Sequence, residues 1–333
     1  MRIDYTHRYS AHCESGCVAG LLQHAGIAID EPMIFGLGSG LYFGYFPFIK
    51  IGVHKLTTFR NRPGSIFNTA ARRLGLDLHV RRFGDEQKGM DELDRLLDRG
   101  IPVGVQLCVY WLPYMPQSQR VHVSLHNAIV FGREGDDYVL SDITQQQPVT
   151  CPRDALRKAR FAKGSGAPKG FMYHVEPGSK IVEDLAPTVR TSVRAVCSQM
   201  TTLFPMVGVR GIRLLAKNVR RWERELEAPE VGLNLSDVIV MSEMFGTGGG
   251  GFRFMYSAFC KEAGERTGNP RLAAMAEPFL DIGKRWRTFA EKAHHWRKGR
   301  LGPGEDYQML PRMLEEIADL EQKAIADLKA AVN

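Results

Sequence analysis

The 333-residue sequence predicts an α+β domain over residues 1–178 followed by an all-helical domain over residues 179–333. Three observations predict it. Short β-like apolar runs alternate with a few helical stretches up to residue 178, whereas beyond it the periodicity is helical almost to the end. Between the two textures lies Val175-Glu-Pro-Gly-Ser-Lys180, a run of turn formers. In the first part, helices are expected at about 13–25, 64–74 and 89–99, where apolar residues recur three and four apart; each ends near a glycine (Gly26, Gly75, Gly100) suited to a left-handed cap. Strands are expected in Leu78-His-Val-Arg-Arg-Phe83, Pro102-Val-Gly-Val-Gln-Leu-Cys108, Asn127-Ala-Ile-Val-Phe131 and Tyr138-Val-Leu140, the last two flanking the turn-rich Gly132-Arg-Glu-Gly-Asp-Asp137 as a hairpin. In the second part, apolar residues at 310, 313, 314, 317, 320, 324, 325 and 328 form the stripe of an amphipathic helix. Gly246-Thr-Gly-Gly-Gly-Gly251 interrupts the helical texture, with a new helix expected from Phe252.

Composition excludes several classes. With 44% hydrophobic and 24% charged residues the chain is globular, not disordered. No stretch approaches the roughly 18 apolar residues that span a bilayer, and residues 1–10 carry no apolar core of a signal peptide, so a cytoplasmic protein without a membrane partner is expected. Six scattered cysteines without a Cys-x-x-Cys pair predict free thiols. The net charge of +7 divides into +4 over residues 1–178 (21 basic, 17 acidic) and +3 over the rest (23 basic, 20 acidic). That spread excludes a basic nucleic-acid tail and leaves a mildly basic surface suited to an acidic partner.

The chemistry-bearing residues begin with Cys13. In Ser10-Ala-His-Cys13-Glu-Ser-Gly-Cys17, followed by apolar residues at 18, 21, 22 and 25, a cap at Ser10 or a neighbour places Cys13 in the first helical turn. The N–H groups and dipole there favour a thiolate and offer donors to an oxyanion. A lone cysteine at such a position is more often a small buried hydrophobe. The hairpin supplies a second clue. His126 and Asp142 average to 134, the middle of the turn, so an antiparallel pairing centred there sets them opposite one another with Cβ atoms about 4.5–5.5 Å apart. An acid so placed orients an imidazole whose other nitrogen reaches a thiolate. Taken alone, a strand His–Asp pair is commonly a surface ion pair. A helix-start cysteine followed more than 100 residues later by a strand-borne His and Asp is the order of a papain-like fold.

The sequence also resembles the butirosin-biosynthesis acyltransferase (BtrH) family. The resemblance rests on His12-Cys13-Glu14-Ser15, Glu31-Pro-Met-Ile-Phe-Gly-Leu-Gly-Ser-Gly40, Tyr110-Trp-Leu-Pro-Tyr114, and His122-x3-His126-Asn-Ala-Ile-Val-Phe-Gly132 through Ser141-Asp142. Gly246-Thr-Gly-Gly-Gly-Gly-Phe-Arg253 looks like part of the helical domain that commonly follows. That family is similar to bacteriocin-processing (C39-type) cysteine peptidases, and the match implies Cys13 as nucleophile, His126 as base and Asp142 as orienter. It implies transfer of an acyl group from a carrier-protein phosphopantetheine thioester to a small-molecule amine, without cofactor or metal. A cysteine peptidase or amidase, or a non-catalytic binding module, are the alternatives. Two positions depart from the pattern: His7 stands where the peptidases carry an oxyanion-hole Gln six residues before the cysteine, and Cys108 stands near an often acidic position before the Tyr110 element.

Substrate contacts are expected from His7, His12, Tyr110 and Tyr114, with Trp111 beside them, although an aromatic cluster is more often core. His12 is weighed as a second base and His122 as an alternative one if its segment is helical; Glu14 fits the helix dipole. A zinc site from His12, Cys13 and Cys17 lacks the usual second ligand pair. Gly38-Ser-Gly40 and Gly246–Gly251 lack the Gly-Lys-[Ser/Thr] of a phosphate loop. The second precedes Arg253 and is weighed as an anion site against a plain interhelical turn. The helical half has apolar surface enough for a lone bundle or a homodimer interface.

Overall fold

The computed structural model describes residues 1–51, 54–164, 166–244 and 247–333. The chain opens with α1 (Cys13–His24), α2 (Glu31–Leu37), β1 (Leu41–Ile51), β2 (His54–Arg60) and α3 (Ser65–Leu74). It continues through β3 (Leu78–Arg81), α4 (Glu86–Asp98), β4 (Val103–Leu107), β5 (His126–Glu134), β6 (Asp137–Ser141), β7 (Val149–Pro152), α5 (Arg153–Arg160) and β8 (Met172–Val175). Helices follow: α6 (Ala186–Met200), α7 (Gly208–Glu225), α8 (Ala228–Glu243), α9 (Arg253–Arg266), α10 (Pro270–Ala273), α11 (Ala276–Arg297) and α12 (Met309–Ala331). The fold class is therefore α+β, a sheet-bearing region followed by a helical one, as the sequence predicts.

The chain divides into one unit of residues 1–34 and 67–183 and a second of residues 35–66 and 184–333. A single boundary near 178 is thus incomplete, because residues 35–66 belong with the helical part.

In the first unit, six antiparallel strands lie in the order β3-β8-β4-β5-β6-β7. One side of the core gathers Leu93, Leu96 and Leu97 of α4 against Val103, Val105 and Leu107 of β4. Helix α1 packs on β5, β4 and β8 and is buried almost all round from Glu14 to Leu22. Small residues permit this: a Cβ on Gly20 would lie 2.4 Å from the Tyr5 hydroxyl and 3.2 Å from Ile129 Cδ1. The expected glycine caps are present. Gly26, Gly75 and Gly100 have φ of 83°, 64° and 77°, and beyond each the next amide reaches back into the helix (Ile27 N to Leu22 O 2.9 Å, Leu76 N to Ala71 O 2.9 Å, Ile101 N to Leu96 O 3.0 Å). Helix α4 starts earlier than its apolar periodicity, because Asp85 caps it by accepting from Lys88 N at 2.8 Å.

The second unit takes in the β1–β2 hairpin, whose Phe43 and Phe59 lie 5.7 and 4.9 Å from the fully buried Trp286 of α11, ring centre to ring centre. Burying one such phenyl ring is worth about 1.5–3 kcal/mol, which explains why residues 35–66 join the helices. Tyr45 N donates to Met206 O at 2.9 Å, adding a backbone tie. Helix α12 matches the stripe read from the sequence, with one exception of kind: the fully buried Glu321 pairs with the equally buried Arg253 at 2.6 Å. Arg253 also donates to Gly251 O at 2.6 Å, so it is committed inside the unit and does not present an anion site. Gly248 to Gly251 all have positive φ, and a Cβ on Gly250 would lie 2.9 Å from the Gly283 backbone; the run serves as an interhelical turn. Gly246 lies outside the described residues. Ser39, between Gly38 and Gly40, is buried and donates to Ser192 O at 3.1 Å, a structural role.

Candidate active site

The site lies within the first unit and starts at the α1 N-terminus. Glu31, the acid of the Glu-Pro-Met-Ile-Phe-Gly motif, accepts from Ala11 N (2.9 Å), His12 N (2.7 Å) and Ser15 Oγ (3.2 Å). Burial pushes its carboxyl pKa up, against the lowering effect of these donors. His12 is the N-cap: its Nδ1 lies 3.4 Å from Ser15 N, which donates, and 2.9 Å from Ser15 Oγ. It is also buried, so His12 holds the helix start in place of Ser10 and does not line the cleft. Cys13 follows as the first helical residue. All six cysteines are free thiols, and Cys13 is half-buried where the other five are buried.

Strand β5 delivers His126 to the sulfur. The strands pair with a two-residue connection between Glu134 and Asp137, and an irregularity between Val130 and Gly132 shifts the register, so that Val130 faces Leu140 and Ile129 faces Ser141. Asp142 is therefore two positions off the direct partner of His126, not opposite it. The offset is even, which preserves the face of the sheet. His126 Nε2 meets Asp142 Oδ2 at 2.6 Å, leaving Nδ1 for Cys13, whose sulfur is near enough to help raise the His126 pKa. Burial alone would lower the His126 pKa; the Asp142 carboxylate, and then Cys13, outweigh it and hold the imidazole well above its usual value. Burial would likewise raise Asp142, but the His126 charge and four donated hydrogen bonds keep it below the usual carboxylate range. Both shifts describe one imidazolium–carboxylate pair.

Tyr114 belongs to this pair. Its hydroxyl donates to Asp142 Oδ2 at 2.8 Å, while Thr144 donates to Oδ1 through N (2.9 Å) and Oγ1 (2.8 Å). Tyr114 thus ties its hydroxyl to the acid. Tyr110 is exposed and stacks on His122 with ring centres 3.9 Å apart, with Trp111 edge-on at 5.1 Å. His122 is accordingly placed on an aromatic ledge and is not a second base at Asp142. His7 is also committed. Its Nε2 donates to Gln145 O at 3.1 Å, so Nδ1 accepts from Ser141 Oγ at 2.8 Å, and neither nitrogen is left for substrate.

Cys17 is fully buried, and burial pushes its thiol pKa well up, so Cys13 and Cys17 do not form a ligand pair. Elsewhere His79, His174 and Glu176 bring ligand atoms within 4.8 Å of one another. Glu176 is already paired with Arg99 at 3.0 Å and with His174 at 3.2 Å. Sequence reasoning overlooked Asn127 and Tyr173. Asn127 Nδ2 lies 3.7 Å from Cys13 Sγ, and the available signal was a polar residue at the head of an apolar strand.

Residues 154–328, more than half of the chain, match the family model described as a domain of unknown function, DUF4872. The chain belongs to this family. Residues 12–143 match the model for the N-terminal part of butirosin biosynthesis protein H, the family that the sequence motifs resemble. A crystal structure described as a C39-like peptidase from Bacillus anthracis is 16% identical, with a TM-score of 0.36, covering 55% of this chain and 97% of that one. No curated protein matches. No helix among the described residues is long and apolar enough to cross a membrane.

Proposed function

We propose that the protein is an acyltransferase that carries an acyl group on Cys13, with His126 and Asp142 as its proton-handling pair. The observation that carries the reading is the half-buried Cys13 at a helix start beside a His126 held charged by Asp142 at 2.6 Å. That electrostatic balance favours a resting thiolate–imidazolium pair, so His126 acts first as an acid. Cys13 Sγ attacks the thioester carbonyl carbon, the bond to the donor sulfur breaks, and His126 protonates the departing thiolate. Neutral His126 then takes a proton from the acceptor amine as its nitrogen attacks the acyl carbon, and Cys13 leaves as thiolate. An acyl carrier protein, acidic and bearing a phosphopantetheine thioester, suits the net charge of +7. The family description, butirosin biosynthesis, is in keeping with a role in secondary metabolism.

The test is incubation with S-acetyl-N-acetylcysteamine, followed by addition of a primary amine. A 1:1 acetyl adduct mapped to Cys13 and discharged onto the amine supports transfer. Discharge only to water identifies a hydrolase, and no adduct on Cys13 removes the acyl-enzyme.

A further inference from the structure

An acyl-enzyme needs donors for the oxyanion that forms as the thiolate adds, and His7 does not supply one because both its ring nitrogens are committed. Resting on the acyl-enzyme reading above, we infer that Asn127 is a catalytic residue whose side-chain amide holds that oxyanion. Its orientation follows from hydrogen bonding alone. The atom 3.3 Å from Leu125 O must be the amide nitrogen, because a carbonyl only accepts. The atom 3.2 Å from the Tyr173 hydroxyl is then the amide oxygen, accepting from it. The second N–H of Nδ2 faces Cys13 Sγ at 3.7 Å.

Asn127 is buried, as is Tyr173, so the amide is held in a low-dielectric surrounding where a hydrogen bond to developing charge is worth more than in water. A substrate oxygen joined to Sγ through its carbonyl carbon can sit within the roughly 2.7–3.1 Å that an oxyanion donor needs. The reaction is ordinary in its balance. The Sγ–C bond forms as the C=O π pair moves to oxygen, and the pair returns as the leaving group departs. Asn127 serves the charge in between.

The test compares two reactions at the same sulfur. Acylation by p-nitrophenyl acetate passes through an oxyanion and expels p-nitrophenolate, whereas alkylation by iodoacetamide displaces iodide at a saturated carbon and forms none. In Asn127→Ala, acylation should fall about 10²–10³-fold while alkylation of Cys13 stays within about twofold of wild type. Tyr173→Phe leaves Asn127 in place but removes the donor to its oxygen, and should show the same selective loss at about tenfold; it decides the matter if Asn127→Ala does not fold. Unchanged acylation, or acylation and alkylation falling together, overturns the assignment, the latter because Asn127 would then merely position the thiolate. Wild-type Cys13 that alkylates no faster than the buried thiols overturns the nucleophile reading first, a result read without any Asn127 variant.

Discussion

Replacing Asp142 by Asn keeps the shape of the side chain and removes its charge. The surroundings dictate how the new amide must lie. Thr144 N only donates, so the oxygen of the introduced amide has to face Thr144 and its NH2 group has to face His126 Nε2 and the Tyr114 hydroxyl. Tyr114 can rotate its hydroxyl and accept. His126 can accommodate the NH2 only by accepting at Nε2, which moves the ring proton to Nδ1, the nitrogen that serves Cys13. The resting pair becomes a thiol beside a neutral imidazole. Burial lowers the His126 pKa, and the Asp142 carboxylate is the largest influence that raises it above its usual value. Losing that charge, with the ring proton moved to the nitrogen that serves Cys13, slows a reaction of this kind by about 10³–10⁴-fold. The assay is the rate of acetyl gain on Cys13 from S-acetyl-N-acetylcysteamine, followed by intact mass at pH 7. An Asp142→Asn protein that acylates within about threefold of wild type, while Cys13→Ala takes no acetyl, refutes the argument that this charge sets the state of the pair.

The same pair predicts how stability varies with pH. His126 is raised from 6.5 to about 10 and Asp142 lowered from 3.8 to about 2, so the stabilisation is complete from about pH 4 to 6.5, fading as pH rises through about 10 or falls through about 2. Urea unfolding of wild type and Asp142→Asn should differ most near pH 5 to 6 and converge toward pH 10. Glu31→Gln sets an amide NH2 against a donor and should cost about 1–3 kcal/mol, with slower iodoacetamide labelling of Cys13 because the helix start loosens. Gly20→Ala forces a methyl group against the Tyr5 hydroxyl and Ile129; a loss of about 1–3 kcal/mol in urea unfolding is expected. Arg253→Met strands the buried Glu321 carboxylate and should cost about 3–5 kcal/mol, recovered in large part by adding Glu321→Leu.

Local signals carried much of the fold. Gly26, Gly75 and Gly100 marked helix ends because only a residue without a Cβ takes positive φ cheaply, and the 310–328 stripe marked α12 because its period is 3.6. Non-local partnerships were hidden. Nothing in the run of Phe43 and Phe59 names Trp286 as their neighbour more than 220 residues later, so a boundary near 178 leaves residues 35–66 apart from the helices they cluster with. The His126–Asp142 pair was legible as a hairpin pair, but the shift near Phe131 that makes them diagonal was not. Residues beside the His126–Asp142 pair are engaged in ways their type does not disclose: His12 caps α1, His7 is tied to Ser141 and Gln145, and Tyr114 donates to Asp142. Roles of that kind depend on which atoms are already occupied, and occupancy is a property of the folded chain.

The central claim, that Cys13 is an activated nucleophile, is tested most directly by a short iodoacetamide pulse near neutral pH read by intact mass, on wild type, Cys13→Ala and His126→Ala. The account predicts one fast label on wild type, absent in Cys13→Ala and markedly slowed in His126→Ala. A Cys13 that reacts at the rate of the other five thiols, and at the same rate without His126, would contradict it.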